Sequence, residues 1–249
     1  KTPPRLQRLL QKKKAMTLKE AIKILSDAGI ESAGYDAREI FSVIGGVSKS
    51  ELVLSNIECK EMVVIDAINR RAKREPLQYI IGNLDFYREN YLVSPACLIP
   101  RADTEILVDY AVKNLPSGAR FADLCTGSGC IAISTLKNTK DTTAVAMDIS
   151  QDALDLARKN ATRNRVFERI EFIEADVLER VAGPIFAMLS NPPYVSEGAY
   201  SALEAEIYHE PKIAFVGGEV HLPHQLTIHI IAALHPGISG SRIYRLSFR

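Results

Sequence analysis

The chain has 249 residues, of which 47% are hydrophobic and 24% charged, and its formal net charge is +1. This length allows one large domain or two modest ones, while the near-neutral charge is not typical of broad nucleic-acid binding. No apolar run approaches the roughly 18 residues of a membrane span, and no secretory signal is expected. The four cysteines lack C-x-x-C spacing and histidine neighbours, so we expect reduced thiols of an intracellular protein rather than a zinc site.

The N-terminal third predicts a leader and a small helical domain. Residues 1–15 contain two prolines and three consecutive lysines, and we expect a disordered leader without function. Thr17 and Glu20 form a capping box for a first helix, and Gly29 ends it. Three further helices are predicted, over residues 36–44, after a second capping box at Ser48 and Glu51, and over residues 60–73. Residues 16–75 are therefore predicted to form an all-helical domain.

Residues 76–100 predict a β-hairpin linker. Residues 77–81, 86–87 and 91–93 are short, β-prone and rich in aromatic side chains. Gly82-Asn83 and Glu89-Asn90 punctuate them as turns. A helix that begins after Arg101 and runs through Val112 follows the linker.

From Arg120 onward, strand and helix patterns alternate, which predicts parallel βαβ units. The predicted strands cover residues 121–124, 143–147, 170–173 and 186–189, and the predicted helices cover residues 130–136 and 151–164.

Polar and glycine residues collect at the carboxyl ends of these strands, where parallel α/β sheets bind ligands. The loop 125–129 contains two glycines that allow close backbone approach to a ligand. Asp148 follows the second strand and is placed to accept hydrogen bonds from ribose hydroxyls, and Asp176 follows the third, where it can reach an adenine edge. A dinucleotide dehydrogenase also has an acidic ribose partner, but its loop has the spacing G-x-G-x-x-G, which this loop lacks.

The fourth strand ends in Ser190-Asn191-Pro192-Pro193-Tyr194. Two prolines stiffen this strand exit and leave its carbonyl groups free to accept hydrogen bonds. Asn191 adds a side-chain amide, and Tyr194 adds an aromatic wall with a polar tip. The segment suits a planar group that carries an –NH2; the alternative is a plain proline turn.

The loop resembles the D-x-G-x-G-x-G loop of class I S-adenosylmethionine-dependent methyltransferases, with Asp123 as its acid and Cys125 in place of the first glycine. Residues 16–219 together resemble the HemK-type protein-(glutamine-N5) methyltransferases, which act on peptide-chain release factors. The resemblance rests on the helical domain, the hairpin, the loop and the Asn-Pro-Pro-Tyr motif, together with Ile99-Pro100-Arg101-Ala102-Asp103-Thr104-Glu105, Glu210-Pro211 and Gly217-Gly218-Glu219.

This resemblance implies a Rossmann-like α/β methyltransferase domain over residues 101–249, preceded by the helical domain as a substrate-recognition unit. It implies S-adenosyl-L-methionine as the cofactor, and no metal ion. The implied cofactor site comprises Asp123, Cys125, Thr126, Gly127, Ser128, Gly129, Asp148, Asp176, Val177 and Asn191. The implied substrate site comprises Asn191, Pro192, Pro193 and Tyr194, of which Asn191, Pro192 and Tyr194 are expected to take part in catalysis.

For partners and location, the resemblance implies a cytoplasmic monomer that methylates release factors. It implies no stable binding to nucleic acids and no membrane binding. Three alternatives stay open. The Asn-Pro-Pro-Tyr motif also occurs in N6-adenine methyltransferases of nucleic acids, and a sister group methylates a glutamine of a ribosomal protein. The sequence departs from the family pattern after residue 219, so the third alternative is an inactive protein that binds the cofactor.

Overall fold

The computed structural model describes residues 15–53, 57–176, 183–217, 227–232 and 242–247. Almost the whole predicted leader lies outside these residues. The chain divides into two compact units. The first comprises Lys1–Gly82 with Ala205–His209, and the second comprises Asn83–Glu204 with Glu210–Arg249. The first unit thus extends past the predicted end of the helical domain at residue 75, and it includes a short segment that follows the Asn-Pro-Pro-Tyr motif in the chain.

The first unit is mainly helical. Its elements are β1 (Met16–Thr17), α1 (Leu18–Asp27), α2 (Ala33–Val43), β2 (Glu58–Cys59), α3 (Met62–Ala72) and α4 (Leu77–Ile81), and β1 pairs with β2. The capping box of α1 is formed, since Glu20 N–H donates to Thr17 Oγ1 at 3.2 Å and Thr17 N–H donates to Glu20 Oε2 at 3.0 Å. The apolar faces of the helices form one core around side chains such as Leu25, Phe41 and Ile68.

Two predictions about residues 33–53 of this unit need correction. Helix α2 begins at Ala33, three residues earlier than predicted, because Ala33 and Ala37 pack in the core. At the second capping box, Ser48 N–H donates to Glu51 Oε2 at 3.0 Å. Within the described residues up to 53, this box begins the three-residue 3-10 turn Glu51–Val53 in place of the predicted helix.

The prediction of an extended segment at residues 77–81 was wrong, because Leu77–Ile81 is helix α4. Pro76 precedes its first turn, and Gly82 ends it in the left-handed conformation at φ 84°, as proline and glycine commonly do at helix ends. Leu77 and Ile80 lie one helical turn apart and are buried in the core of the first unit. Burial of this face overrides the β propensity of the segment.

The second unit begins with the hairpin of β3 (Asn83–Phe86) and β4 (Glu89–Leu92). Its turn is Tyr87-Arg88, with φ values of 48° and 74°, which is typical of a two-residue type I′ turn. The turn predicted at Glu89-Asn90 was wrong, since both residues pair within β4. Tyr87 holds the hairpin tip, because its N–H donates to Glu105 Oε1 at 2.9 Å.

The central sheet confirms the predicted α/β class with its parallel strands. Its strands are β5 (Arg120–Leu124), β6 (Thr143–Asp148), β7 (Ile170–Glu174), β8 (Ala187–Ser190), β9 (Thr227–Ala232) and β10 (Arg242–Ser247), in the order β10-β9-β8-β5-β6-β7. Strands β5 to β8 are parallel to one another, while β9 runs antiparallel to β8 and β10 antiparallel to β9. The sheet therefore continues past the four predicted strands. The parallel strands agree with the predicted bounds within two residues.

The second unit's helices are α5 (Glu105–Asn114), α6 (Cys130–Lys137), α7 (Gln151–Arg163) and the short α8 (Glu197–Tyr200). Ser150 caps α7, because its Oγ accepts a hydrogen bond from Ala153 N–H at 3.3 Å.

Asn160 on α7 ties the hairpin to the glycine loop. This side chain is fully buried. It accepts from Leu92 N–H at 2.7 Å, donates to Leu92 O at 3.0 Å and donates to Ser128 O at 2.9 Å. The three bonds use both N–H donors and one acceptor site of the amide, and they tie the loop that follows β5 to the hairpin.

Candidate active site

A cavity of about 430 Å³ lies where β5, β6 and β8 end, and it brings together most of the predicted site residues. Parallel pairing places Leu124 beside both Met147 and Ser190, so the segments that follow these strands leave the sheet at one edge. The predicted residues that line the cavity are Cys125, Thr126, Gly127, Ser128, Asp148, Asp176, Asn191, Pro192 and Pro193. Asp123, Gly129 and Tyr194 lie outside this lining, and Val177 lies outside the described residues.

The loop after β5 has a strongly bent backbone. Cys125, Gly127 and Gly129 have φ values of 57°, 54° and 81°. A Cβ at Gly129 would lie 3.2 Å from the Ala157 Cβ, so the glycine allows α6 to start close against α7. Cys125 adopts the left-handed conformation at the position where the resembled pattern has glycine, which costs about 1 kcal/mol.

Asp123 lies beneath this loop rather than on the cavity wall. Its side chain is fully buried, and Oδ2 accepts from Thr126 Oγ1 at 2.7 Å and from Ala132 N–H at 3.0 Å. Among the described residues Oδ1 has no hydrogen-bond partner. Burial raises the pKa of Asp123 to about 7, while the hydrogen bonds from Thr126 and Ala132 oppose that rise. The geometry makes Asp123 a residue that positions the loop.

Asp148 joins the loop to the start of α7. Its Oδ2 accepts from Gly127 N–H at 2.8 Å, and its Oδ1 accepts from Ser150 N–H at 3.0 Å. A carboxylate oxygen has more than one acceptor site, so both oxygens can also accept a hydrogen bond from a ligand. Asp176 is an exposed residue of the same cavity wall.

Asn191 lies at the other end of the cavity lining, after β8. Its Nδ2 donates to Thr104 Oγ1 at 3.2 Å, and Thr104 is only 3% exposed. The bond orients the amide and leaves its Oδ1 as an acceptor. Thr104 is a site residue that sequence reasoning missed: it belongs to the recognised Ile99–Glu105 motif, but only the fold brings it to Asn191, 87 positions later.

The segment after residue 210 packs against the Asn-Pro-Pro-Tyr motif. Val195 N–H donates to Phe215 O at 2.8 Å. A Cβ at Gly217 would lie 2.2 Å from Pro193 O, closer than any real contact, so only glycine fits there. Gly217 therefore supports the backbone of the strand exit, a role that the sequence did not reveal.

Glu210 anchors this segment. Its carboxylate accepts from Ile99 N–H at 2.8 Å and forms an ion pair with Arg101. The Glu210 side chain is 1% exposed and that of Arg101 is 43% exposed. Burial raises the pKa of Glu210, and the Arg101 charge opposes that rise.

Within the described residues, no group of three or more His, Cys, Asp or Glu side chains could hold a metal ion. No helix among those residues is long and apolar enough to cross a membrane.

Two family models match the chain. The PrmC N-terminal domain matches residues 17–82, and the methyltransferase small domain matches residues 102–228. The release factor glutamine methyltransferase of Nitratidesulfovibrio vulgaris is 40% identical over 167 residues, which cover 66% of this chain and 57% of that protein. That of Chlorobaculum tepidum is 34% identical over 216 residues, which cover 80% of this chain and 74% of that protein.

Among solved structures, an S-adenosylmethionine-dependent methyltransferase from Geobacter sulfurreducens in complex with S-adenosyl-L-homocysteine has a TM-score of 0.32 at 19% identity. It matches 46% of this chain and 45% of that one, and so weak a likeness carries no argument. The family assignment rests on the sequence matches. By these matches, the chain belongs to the release factor glutamine methyltransferase family.

Proposed function

We propose that this protein transfers the methyl group of S-adenosyl-L-methionine to the side-chain nitrogen of a glutamine in peptide-chain release factors. The observation that carries the proposal is the Asn191 amide, which Thr104 holds so that Oδ1 is left as an acceptor. That amide and the following Pro192 line the same cavity as the glycine loop and Asp148. The residues proposed to bind the cofactor and those proposed to bind the glutamine amide thus line one cavity.

The cavity fits the cofactor by size and by the chemistry of its walls. Asp148 is placed to accept hydrogen bonds from the ribose hydroxyls, and Asp176 can accept from the adenine amino group. The loop 125–129, held by Asp123 and Asn160, brings its backbone close to the ligand. When bound, S-adenosyl-L-methionine supplies an electrophilic methyl group.

The acceptor is a poor nucleophile, because the lone pair of an amide nitrogen is delocalised. We infer that Asn191 Oδ1 and the backbone carbonyl of Pro192 accept the two N–H groups of the glutamine amide. This pair would orient the nitrogen and favour positive charge on it as the bond to the methyl carbon forms and the bond from that carbon to sulfur breaks. The products would be S-adenosyl-L-homocysteine and the methylated amide, and the proton that the nitrogen loses would pass to water. Pro193 stiffens the strand exit, and Tyr194 would pack against the amide plane.

This scheme needs no strong base. The described residues that line the cavity include no histidine. Burial raises the pKa of Cys125 and of Cys130 to about 12 and raises that of Cys97, so the three thiols that line the cavity are neutral near pH 7.

The proposal extends to the setting of the reaction. Release factors act in translation termination, so the cytoplasm is the place where the protein would meet them. We propose that it works there as a monomer, without a stable nucleic-acid partner.

One experiment tests the function. The protein is incubated with methyl-labelled cofactor and, in separate reactions, a release factor, ribosomal proteins, DNA and RNA, and the labelled residue is located by mass spectrometry. We expect label on a release-factor glutamine. Asn191→Ala is expected to give more than a hundredfold less label with little change in cofactor affinity, since the variant loses the orientation of the acceptor and keeps the loop 125–129 and Asp148. Label on adenine, label confined to a ribosomal protein, or cofactor binding without any transfer would each refute the proposal and match one of the three alternatives.

A further inference from the structure

A second, smaller recess adjoins the acceptor end of the cavity. It measures about 70 Å³, against about 430 Å³ for the main cavity, and the two share Asn191, Pro192 and Thr104 as lining residues. The recess adds the polar side chains of Arg101, Asp103 and Tyr194 and the apolar residues Val195 and Phe215. A group bound there lies next to whatever occupies the Asn191 site.

The Arg101 side chain is held in place by an ion pair and remains partly accessible to a ligand. Its ion pair with the buried Glu210 holds the guanidinium, while 43% of the side chain stays exposed. Glu210 is itself held by Ile99 N–H. A guanidinium carries five N–H donors in a rigid fork, so donors remain for a ligand after the bond to Glu210.

Asp103 places an opposite charge in the same recess. Asp103 is exposed, and its charge and that of Arg101 both affect the pKa of the Tyr194 hydroxyl. The pKa of Tyr194 is raised, chiefly by burial, and Arg101 and Asp103 shift it in opposite directions. A phosphate group in the recess would meet the Asp103 carboxylate beside Arg101. A peptide group suits the pair better, because its C=O accepts from a guanidinium and its N–H donates to a carboxylate.

We propose that Arg101, Asp103 and Tyr194 form a subsite that binds the main chain of the substrate polypeptide beside the accepting glutamine. Arg101 donates to a backbone carbonyl, Asp103 accepts from a backbone N–H, and the Tyr194 ring, which is 39% exposed, covers the segment. The small volume admits a backbone segment and excludes a second group of cofactor size. This inference rests on the proposed function and deepens it, since it makes the polypeptide backbone part of what the enzyme recognises.

The test measures KM and kcat for methylation of a release factor by Asp103→Asn and Arg101→Lys. Asparagine removes the charge of Asp103, and lysine keeps the charge that Glu210 needs but loses the fork. Each substitution is expected to raise KM at least about tenfold, the worth of one hydrogen bond to a charged group. We expect kcat to stay within about twofold and the cofactor Kd to be unchanged, because neither residue lines the main cavity.

Asp141→Asn is the matched control. Asp141 is exposed and precedes β6, at the sheet edge opposite the carboxyl ends. It has a φ of 54°, which asparagine tolerates well. An unchanged KM in both variants, with an active wild type, overturns the subsite alone. A wild type that methylates no glutamine overturns the proposed function and the subsite with it.

Discussion

Asn191 donates a hydrogen bond to Thr104 Oγ1 across 3.2 Å, and this bond decides which end of the Asn191 amide is left for a substrate. Thr104 lies in the 3-10 turn Ala102–Thr104 that leads into α5, whereas Asn191 follows β8. The 3-10 turn before α5 therefore orients the Asn191 side chain, which lies directly after strand β8.

Replacing Thr104 by valine keeps its shape and removes the hydroxyl. The Asn191 amide then loses the acceptor that orients it, and we expect kcat for a release factor to fall about tenfold at unchanged cofactor Kd. Thr104→Ser keeps the hydroxyl and is expected to stay within about twofold of the wild type. Steady-state kinetics at saturating cofactor check this, and equal kcat values for the valine and serine variants would show that the hydrogen bond has no role.

Asp148→Ala is expected to weaken cofactor binding. The substitution removes the acceptor for Gly127 N–H and Ser150 N–H and the proposed acceptor for the ribose hydroxyls. We expect the Kd measured by calorimetry to rise at least about tenfold, the worth of one charge-assisted hydrogen bond. Asp155→Ala, at an exposed position of α7, serves as the control. A wild-type Kd in the Asp148 variant would remove this residue from the cofactor site.

Gly217→Ala tests the contact with the strand exit. The new Cβ would lie 2.2 Å from Pro193 O, so the backbone next to Asn191 and Pro192 must move. We expect kcat to fall at least about tenfold, because the proposed mechanism depends on the orientation of the acceptor nitrogen. Gly198→Ala is the control, since a Cβ at Gly198 meets nothing within 4 Å. If both variants keep wild-type kcat, the segment does not support the site.

Asp123 makes stability depend on pH. Burial raises its pKa to about 7 in the folded state, against about 4 for an unfolded chain. Between these values the folded protein binds more protons than the unfolded chain. The resulting contribution to stability is complete below pH 4 and is lost as the pH rises through 7.

Asp123→Asn removes this titration. We expect the free energy of unfolding of the variant, relative to wild type, to increase by on the order of 2 kcal/mol between pH 5 and pH 8. Burial also raises the pKa values of Glu89 and Glu210, but both proteins share these titrations, so they cancel in the difference. Urea denaturation at several pH values gives the measurement, and a difference that is constant across this range would contradict the buried, titrating Asp123.

Arg71 is the buried ion-pair centre of the first unit. Its Nε donates to Asp36 Oδ2 at 2.6 Å, and Nη1 donates to Glu206 Oε1 at 3.1 Å. Arg71→Met leaves the buried Asp36 carboxylate without its cation, which costs about 3–5 kcal/mol. Arg70→Met removes a partly exposed pair with Glu75, and we expect a loss of less than about 1 kcal/mol. Hydrogen exchange of the α2 and α3 amides separates the two outcomes, and equal protection in both variants would contradict this role of Arg71.

Local sequence determined the features that depend on neighbouring residues. The capping box at Thr17 and Glu20 closes over three residues, and proline stiffness at Pro192 and Pro193 is a property of the residues themselves. The alternation of strands and helices predicted the parallel sheet, and with it the sheet edge whose cavity is lined by both Asp148 and Asn191. These signals, with the family resemblance, were sufficient for the fold class and for nine of the residues that line the cavity.

Only the tertiary structure decided the rest, because it depends on residues that are far apart in the chain. Leu77–Ile81 has β propensity but is helical, since the core of the first unit buries Leu77 and Ile80. Asp123 matched a loop pattern that implied cofactor contact, yet the sheet buries it beneath the loop. Thr104, Glu210 and Gly217 gain their roles from partners about 25 to 110 positions away. No local pattern encodes such contacts, because packing brings the partners together only after the elements have formed.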